Sequence, residues 1–182
     1  MRAAAKRELR SRLSAARGAR SAHDIDEARA AVRAAVLDRC DKDGWRCVAA
    51  YVPLRTEPGS SELLAGLVER GVRVLVPVLL PDRDLDWARW SAAGSVAGPE
   101  GTWAIAEAHA VLVPALAVAA DGIRLGRGGG SYDRALSRAD PHAPRVALLY
   151  DDELVEALPQ EPWDLPVTAI VTPSGWLDLP TG

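Results

Sequence analysis

Apolar and polar positions change period along the chain, and the change divides it. Over residues 1–39, Leu9 and Leu13 lie four apart, and Ile25, Ala28, Val32 and Val36 recur at helical spacing. Ala, Arg, Leu and Glu dominate this stretch and are strong helix formers, so it is predicted helical. Gly18 and Ser21 place a break in it, with Ser21 or Asp24 capping a second helix. Beyond Gly44 the period shortens. Arg46–Val52 reads as a strand, Pro53–Ser60 as a turn-rich stretch, and Ser61–Arg70 as a short helix ended by Gly71. Val72–Val78 is almost continuously apolar and β-branched, the pattern of a strand buried on both faces. Asp84–Trp90 alternates as an edge strand does, and the three-residue step from Trp87 to Trp90 puts the two rings on opposite faces. Val96–Ala108 reads as loop and Ala110–Pro114 as another buried strand. Asp121–Gly130 is a loop of glycines and arginines, Ser131–Arg138 a helix, and Arg145–Tyr150 and Val167–Thr172 two further strands.

Short apolar strands alternating with helices predict an α/β fold: a single three-layer domain, with a mostly parallel sheet flanked by helices. Residues 1–40 form a helical N-terminal arm packed on it. The 182 residues fit one domain at about 150 residues each. Such a core needs no metal or disulfide staple. Cys40 and Cys47 have neither zinc-ligand spacing nor a disulfide framework around them, so a reduced, cytoplasmic protein is expected. The first residues carry charge with no apolar segment after it, and the run Ala110–Ala120 is too short to span a bilayer. The formal net charge of −3 argues against a wholly basic nucleic-acid binder. Neither nucleic acid nor membrane is an expected partner, and the chain is expected as a monomer or weak homodimer. The charge is unevenly spread. Residues 1–39 hold ten Lys/Arg against five acids, a net of +5, and the remainder holds twelve against twenty, a net of −8. A basic helix of this kind either lies beside an anionic ligand or presents a solvated face.

The sharpest chemical feature is the stretch from Asp121 to Arg134, with Arg124, Gly126, Arg127, Gly128, Gly129, Gly130, Ser131, Tyr132 and Asp133. Glycines admit positive φ and close backbone approach, so successive N–H groups can face one anion at the start of a helix. Arg124 and Arg127 each offer a two-pronged grip on phosphate oxygens. Asp133 adds a carboxylate suited to Mg²⁺ beside those phosphates. There is no Gly-Lys pair for a P-loop, and Ser131 stands where a dinucleotide fingerprint needs Gly.

This stretch resembles the Arg-Leu-Gly-x-Gly-x-Gly-x-Tyr-Asp signature of the 5-formyltetrahydrofolate cyclo-ligases, also called 5,10-methenyltetrahydrofolate synthetases. Lys6 and Arg10 resemble that family's N-terminal Lys-x-x-x-Arg pair, Glu57 and Ser60 its substrate Glu and small hydroxyl residue. Gly101–Ile105 resembles its Trp-containing loop, and Trp163-Asp164 with Val167–Thr172 its closing segment. The chain differs in having Ser131-Tyr132 where two Tyr are usual, and Trp163 where His is usual. The resemblance implies ATP-dependent closure of 5-formyltetrahydrofolate to 5,10-methenyltetrahydrofolate, with ATP and a reduced folate as partners and Mg²⁺ as cofactor. It implies ATP binding by Lys6, Arg10, Arg124, Leu125, Gly126, Arg127, Gly128, Gly129, Gly130, Ser131 and Tyr132. Val52, Glu57, Trp103, Arg127 and Ser131 would bind the folate, Asp133 and Asp164 the metal, and Arg127 and Tyr132 would be catalytic. On the residues alone, Lys6 and Arg10 are equally two solvated charges, Glu57 a loop acid, Trp103 a packed loop residue and Asp164 a turn residue. His23, His109 and His142 read as surface residues. Two other classes stay open: a non-catalytic nucleotide- or folate-binding paralogue, and a sugar-phosphate isomerase or CoA-transferase-like enzyme on a similar layered sheet.

Overall fold

A computed structural model describes residues 2–180 apart from 92 and 162; Met1, the first residue of the expected helix, lies outside them. Two helices open the chain, α1 (Arg2–Gly18) and α2 (Ala22–Asp43). The break between them is a capping box. The Ser21 hydroxyl accepts from the Asp24 N–H at 3.1 Å, and the Asp24 carboxylate accepts from the Ser21 N–H. α2 ends on Gly44 in the left-handed conformation, φ 66°. Its buried stripe is Ile25, Ala28, Val32, Val36 and Cys40.

The strands that follow are β1 (Cys47–Ala49), β2 (Arg73–Leu79), β3 (Leu85–Trp90), β4 (Val96–Pro99), β5 (Ala110–Pro114), β6 (Ala117–Ala119) and β7 (Arg124–Leu125). Later come β8 (Arg145–Leu148), β9 (Leu154–Val155), β10 (Ala169–Thr172) and β11 (Gly175–Asp178). Helix α3 (Ser61–Glu69) joins β1 to β2, and α4 (Ser131–Leu136) follows β7. Eight strands make one sheet in the order β11-β10-β8-β5-β1-β2-β3-β4; β10, β8, β5, β1 and β2 run parallel, while the β10–β11, β2–β3 and β3–β4 pairings are antiparallel. β7, β6 and β9 form a small second sheet.

Alternation along the strands sorts the core into two layers. Val48, Val74, Val76, Leu112 and Val146 face α2 and α3. Cys47, Ala49, Leu75, Val111 and Val113 face α4 and the 3-10 turn Ala104–Glu107. Trp87 joins the second cluster and Trp90 the first, so the two rings do lie on opposite faces. Leu85–Trp90 is not an edge strand: β2 pairs on one side and β4 on the other, and the edge is β4, part of the stretch expected as loop. Every residue of β4 is exposed, so no alternation marks it. β1 is shorter than Arg46–Val52 because the chain beyond it turns into the Pro53–Ser60 stretch.

The topology positions the site. From β1 the chain crosses to β2 on one side, then returns to β5 on the other. A crevice opens where the strand order reverses, at the carboxyl ends of the strands. Among the described residues no helix is long and apolar enough to cross a membrane.

Candidate active site

At the carboxyl ends of β1, β2 and β5 lies a cleft of about 400 Å³. Pro114 at the end of β5 and Ala115 just past it form its floor, and the glycine-arginine loop forms one wall. That loop is held at both ends. Gly122, at φ 83°, turns the β6–β7 hairpin against the chain before β10. Its carbonyl accepts the Val167 N–H at 2.9 Å, and a Cβ there would sit 2.4 Å from the Val167 carbonyl oxygen. At the other end Gly130, φ 71°, delivers the chain into α4 without a side-chain cap. Between them Gly128 takes φ 102° and Arg10 packs over it, while the Arg10 Nε donates to the Gly126 carbonyl at 2.8 Å.

Helix α1 supplies the opposite wall. Lys6 Nζ lies 3.1 Å from Asp164 Oδ2, which also accepts the Glu161 N–H at 2.9 Å. Arg124 pairs with Asp133 at 2.5 Å. Lys6, Arg10, Arg124, Leu125, Gly126, Arg127, Gly128, Gly129, Gly130, Ser131, Tyr132, Asp133 and Asp164 all line this one cleft. The expected metal carboxylates thus rest on expected nucleotide cations.

A second hollow, of about 270 Å³, adjoins the first and is lined by Tyr51, Val52, Leu54, Pro77 and Pro114. Glu57, Arg127 and Tyr132 line both. Glu57 is only 4 % exposed; its Oε2 accepts the Leu54 N–H at 2.8 Å, and its Oε1 lies 3.3 Å from Arg127 Nη2. Burial pushes the Tyr132 phenol far above its ordinary pKa, Arg124 pulls it back in part, and Glu57 raises it further. Among the described residues its hydroxyl has no hydrogen-bond partner. A buried, neutral, unsatisfied donor at the junction of two hollows is free to serve an incoming acceptor.

Trp103 lies apart from the other expected site residues. It precedes the 3-10 turn Ala104–Glu107, is 67 % exposed, and lines neither hollow. The carbonyl of its neighbour Thr102 accepts from Arg138 Nε, beyond α4, at 3.1 Å. Trp163, equally exposed, lines the cleft.

Arg17 escaped the sequence reading. It is 1 % exposed, with Nε 2.7 Å from Glu153 Oε1 and Nη2 2.6 Å from Glu153 Oε2. Burial alone would lower its pKa, yet the hydrogen bond and charge of Glu153 outweigh burial and hold it above the ordinary value. The signal was its place on the inner face of α1. Lys6, Leu9, Arg10, Leu13 and Arg17 recur at helical spacing and are, among the residues whose burial is described, the partly or fully buried positions of that helix.

The donor set bears on Mg²⁺. Among the described residues no three His, Cys, Asp or Glu side chains gather as a metal cage. Two carboxylates beside an anion cradle suit Mg²⁺ nonetheless, since it is commonly held by one or two carboxylates together with phosphate oxygens and waters.

The chain's kinship agrees with this arrangement. The pattern of the 5-formyltetrahydrofolate cyclo-ligase family matches residues 2–173. A 5-formyltetrahydrofolate cyclo-ligase of Mycolicibacterium smegmatis is 43% identical over 147 residues, covering 72% of this chain and 76% of its own. One from Escherichia coli K12 is 30% identical over 141 residues, covering 70% and 78%. The fold is shared with a 5,10-methenyltetrahydrofolate synthetase of Mycoplasma pneumoniae, with TM-score 0.77, 20% identity, and 92% of this chain and 98% of that one covered. With a cleft assembled from the signature loop and the arm, and a match running from residue 2 to residue 173, the chain belongs to the 5-formyltetrahydrofolate cyclo-ligase family.

Proposed function

We propose that the protein closes 5-formyltetrahydrofolate to 5,10-methenyltetrahydrofolate, converting ATP to ADP and phosphate. The observation that carries this reading is the meeting of two unlike hollows at Arg127, Glu57 and Tyr132. One has a glycine-arginine wall fit for polyphosphate; the other is mostly apolar with one buried carboxylate.

In this reading the triphosphate lies along Gly126–Gly130, where backbone N–H groups and the start of α4 face it. Lys6, Arg10 and Arg124 balance its charge. Asp133 and Asp164 would hold Mg²⁺, which when bound screens the phosphate oxygens. The pterin enters the second hollow past Val52, and Glu57 accepts from its N–H groups. The formyl oxygen attacks the γ-phosphorus, ADP leaves, and the resulting imino-phosphate is a better electrophile than the amide it replaces. N10 then attacks the formyl carbon, the carbon–oxygen bond breaks, and phosphate departs with the N10 proton, closing the ring. Arg127 stabilises charge on the transferred phosphoryl group. Tyr132 stays protonated at neutral pH and therefore donates to an oxygen; it does not act as a base.

The assay is the rise of methenyl-folate absorbance with purified protein, 5-formyltetrahydrofolate, ATP and Mg²⁺, omitting each in turn. Product is expected only from the complete mixture. No product from that mixture, or product without ATP, rejects the reading.

A further inference from the structure

Arg17 belongs to the most basic segment of the chain, yet it is buried beneath the cleft. Its guanidinium is anchored through Nε and Nη2. Besides the two bonds to Glu153, Nη2 donates to the Ala115 carbonyl at 2.7 Å, and Nη1 faces Glu57 Oε1 at 3.9 Å. One carboxylate oxygen of Glu57 is therefore shared between two arginines of opposite character. Arg127 is half exposed, sits between two glycines, and holds Glu57 by a single contact of 3.3 Å. Arg17 is immobilised on three elements.

We propose that Arg17 is a positioning residue, the fixed counter-charge that keeps Glu57 in place for the folate when Arg127 turns to the transferred phosphoryl group. This rests on the roles of Glu57 and Arg127 proposed above. Those roles conflict in the free protein, where the two side chains are bonded to each other. Releasing Arg127 would leave a buried carboxylate without a cation, which is strongly unfavourable. Arg17 removes that penalty. Glu57 cannot follow Arg127 outward, because Leu54 N–H holds Oε2 and Arg29 Nε holds the Glu57 carbonyl at 3.2 Å. The other groups facing it, Tyr51 and Tyr132, are phenols raised by burial and carry no charge at neutral pH. Glu153 on the far side of Arg17 is itself satisfied by the Tyr150 N–H at 3.0 Å, and the Tyr150 hydroxyl donates to the Thr56 carbonyl beside Glu57. The network thus frames the Glu57 turn from both sides.

Removing Arg17 alone would strand Glu153, so the test is the double change Arg17→Met, Glu153→Leu, which removes the pair without leaving that lone charge. The expected result is a cooperative fold, an ATP KM within about twofold of the parent, and a folate KM raised about tenfold or more, as expected when a buried carboxylate loses its fixed counter-charge. A folded double variant with the parent folate KM overturns the proposal, as does an equal rise in both constants, which marks a merely structural pair. Arg17→Lys keeps a cation between the two carboxylates without the guanidinium fork. It is expected to restore most of the folate KM relative to the double variant, and no restoration overturns the charge argument. Glu57→Gln separates the two levels: an unchanged folate KM there rejects the assignment of Glu57 itself, whatever Arg17 does.

Discussion

Arg127 has little holding it in place: half exposure, glycine neighbours and one ion pair. Arg127→Ala is therefore expected to leave the fold intact and to slow turnover by about one to two decades, since a charge-assisted hydrogen bond is worth roughly 1.5–3 kcal/mol. Steady-state kinetics beside circular dichroism reads both, and parent-like turnover removes Arg127 from the reaction. Glu57→Gln keeps the shape but weakens the acceptor, and should raise the folate KM far more than the ATP KM; equal shifts make Glu57 a structural residue. At this scale the sequence was legible where the chemistry is contiguous. Arg124 to Asp133 can be recognised because glycines and charges follow one another. Arg17 was not, because Arg on a helix reads as solvated and its partner Glu153 lies 136 residues away. Trp103 shows the limit from the other side: a loop aromatic can be noted in the sequence, but its distance from the cleft depends on the path of the turn that follows it.

Among the elements, those announced by local chemistry emerged nearly where expected. Ser21-x-x-Asp24 capped α2, and the apolar runs became β2, β5 and β10. β6, β7 and β9 have two or three residues each, too few for any period to appear. They exist because the hairpin around Gly122 and the Leu154–Val155 segment meet in space. A clasp joins two elements near the cleft: Arg138 past α4 donates to both Asp84 oxygens before β3, at 2.7 and 3.1 Å. The Arg138 hydrogen bonds hold the Asp84 carboxyl below its ordinary pKa, against the smaller opposing effect of burial. A depressed folded value means the pair stabilises fully above the unfolded value of about 3.9 and ceases to do so as pH falls through the lower folded value. Asp84→Asn should thus lower Tm at pH 7, and the gap from the parent should close below about pH 4. A gap that persists undiminished in acid would mean that packing, not charge, holds this joint.

Across the whole molecule, part of the uneven charge serves as internal adhesion. The arm's cations meet the body's carboxylates: Lys6 with Asp164, Arg17 with Glu153, Arg20 with Asp152. The Lys6 pair lines the cleft, the Arg17 pair lies buried, and the Arg20 pair lines a separate hollow beside Tyr150. Deleting residues 1–10 should leave the fold, because Arg17 and the Ile25–Cys40 stripe remain, but abolish turnover by opening one wall. Lys6→Ala with Arg10→Ala should raise the ATP KM more than either change alone, with a dependence on salt expected of partly exposed charges. A truncated, folded protein working at the parent rate would reduce the arm to a flank.

The pairing of residue 6 with residue 164 also has a consequence in time. Synthesis proceeds at about 5–20 residues per second, so a nascent α1 waits roughly 8 to 30 seconds for the acids that will receive it. It emerges first, cationic and unmatched, and docks among the last elements. On refolding, closure of a loop that long follows assembly of the more local strand pairs. The ability to hold a nucleotide should therefore return after the sheet's circular dichroism signal, as a separate and later phase.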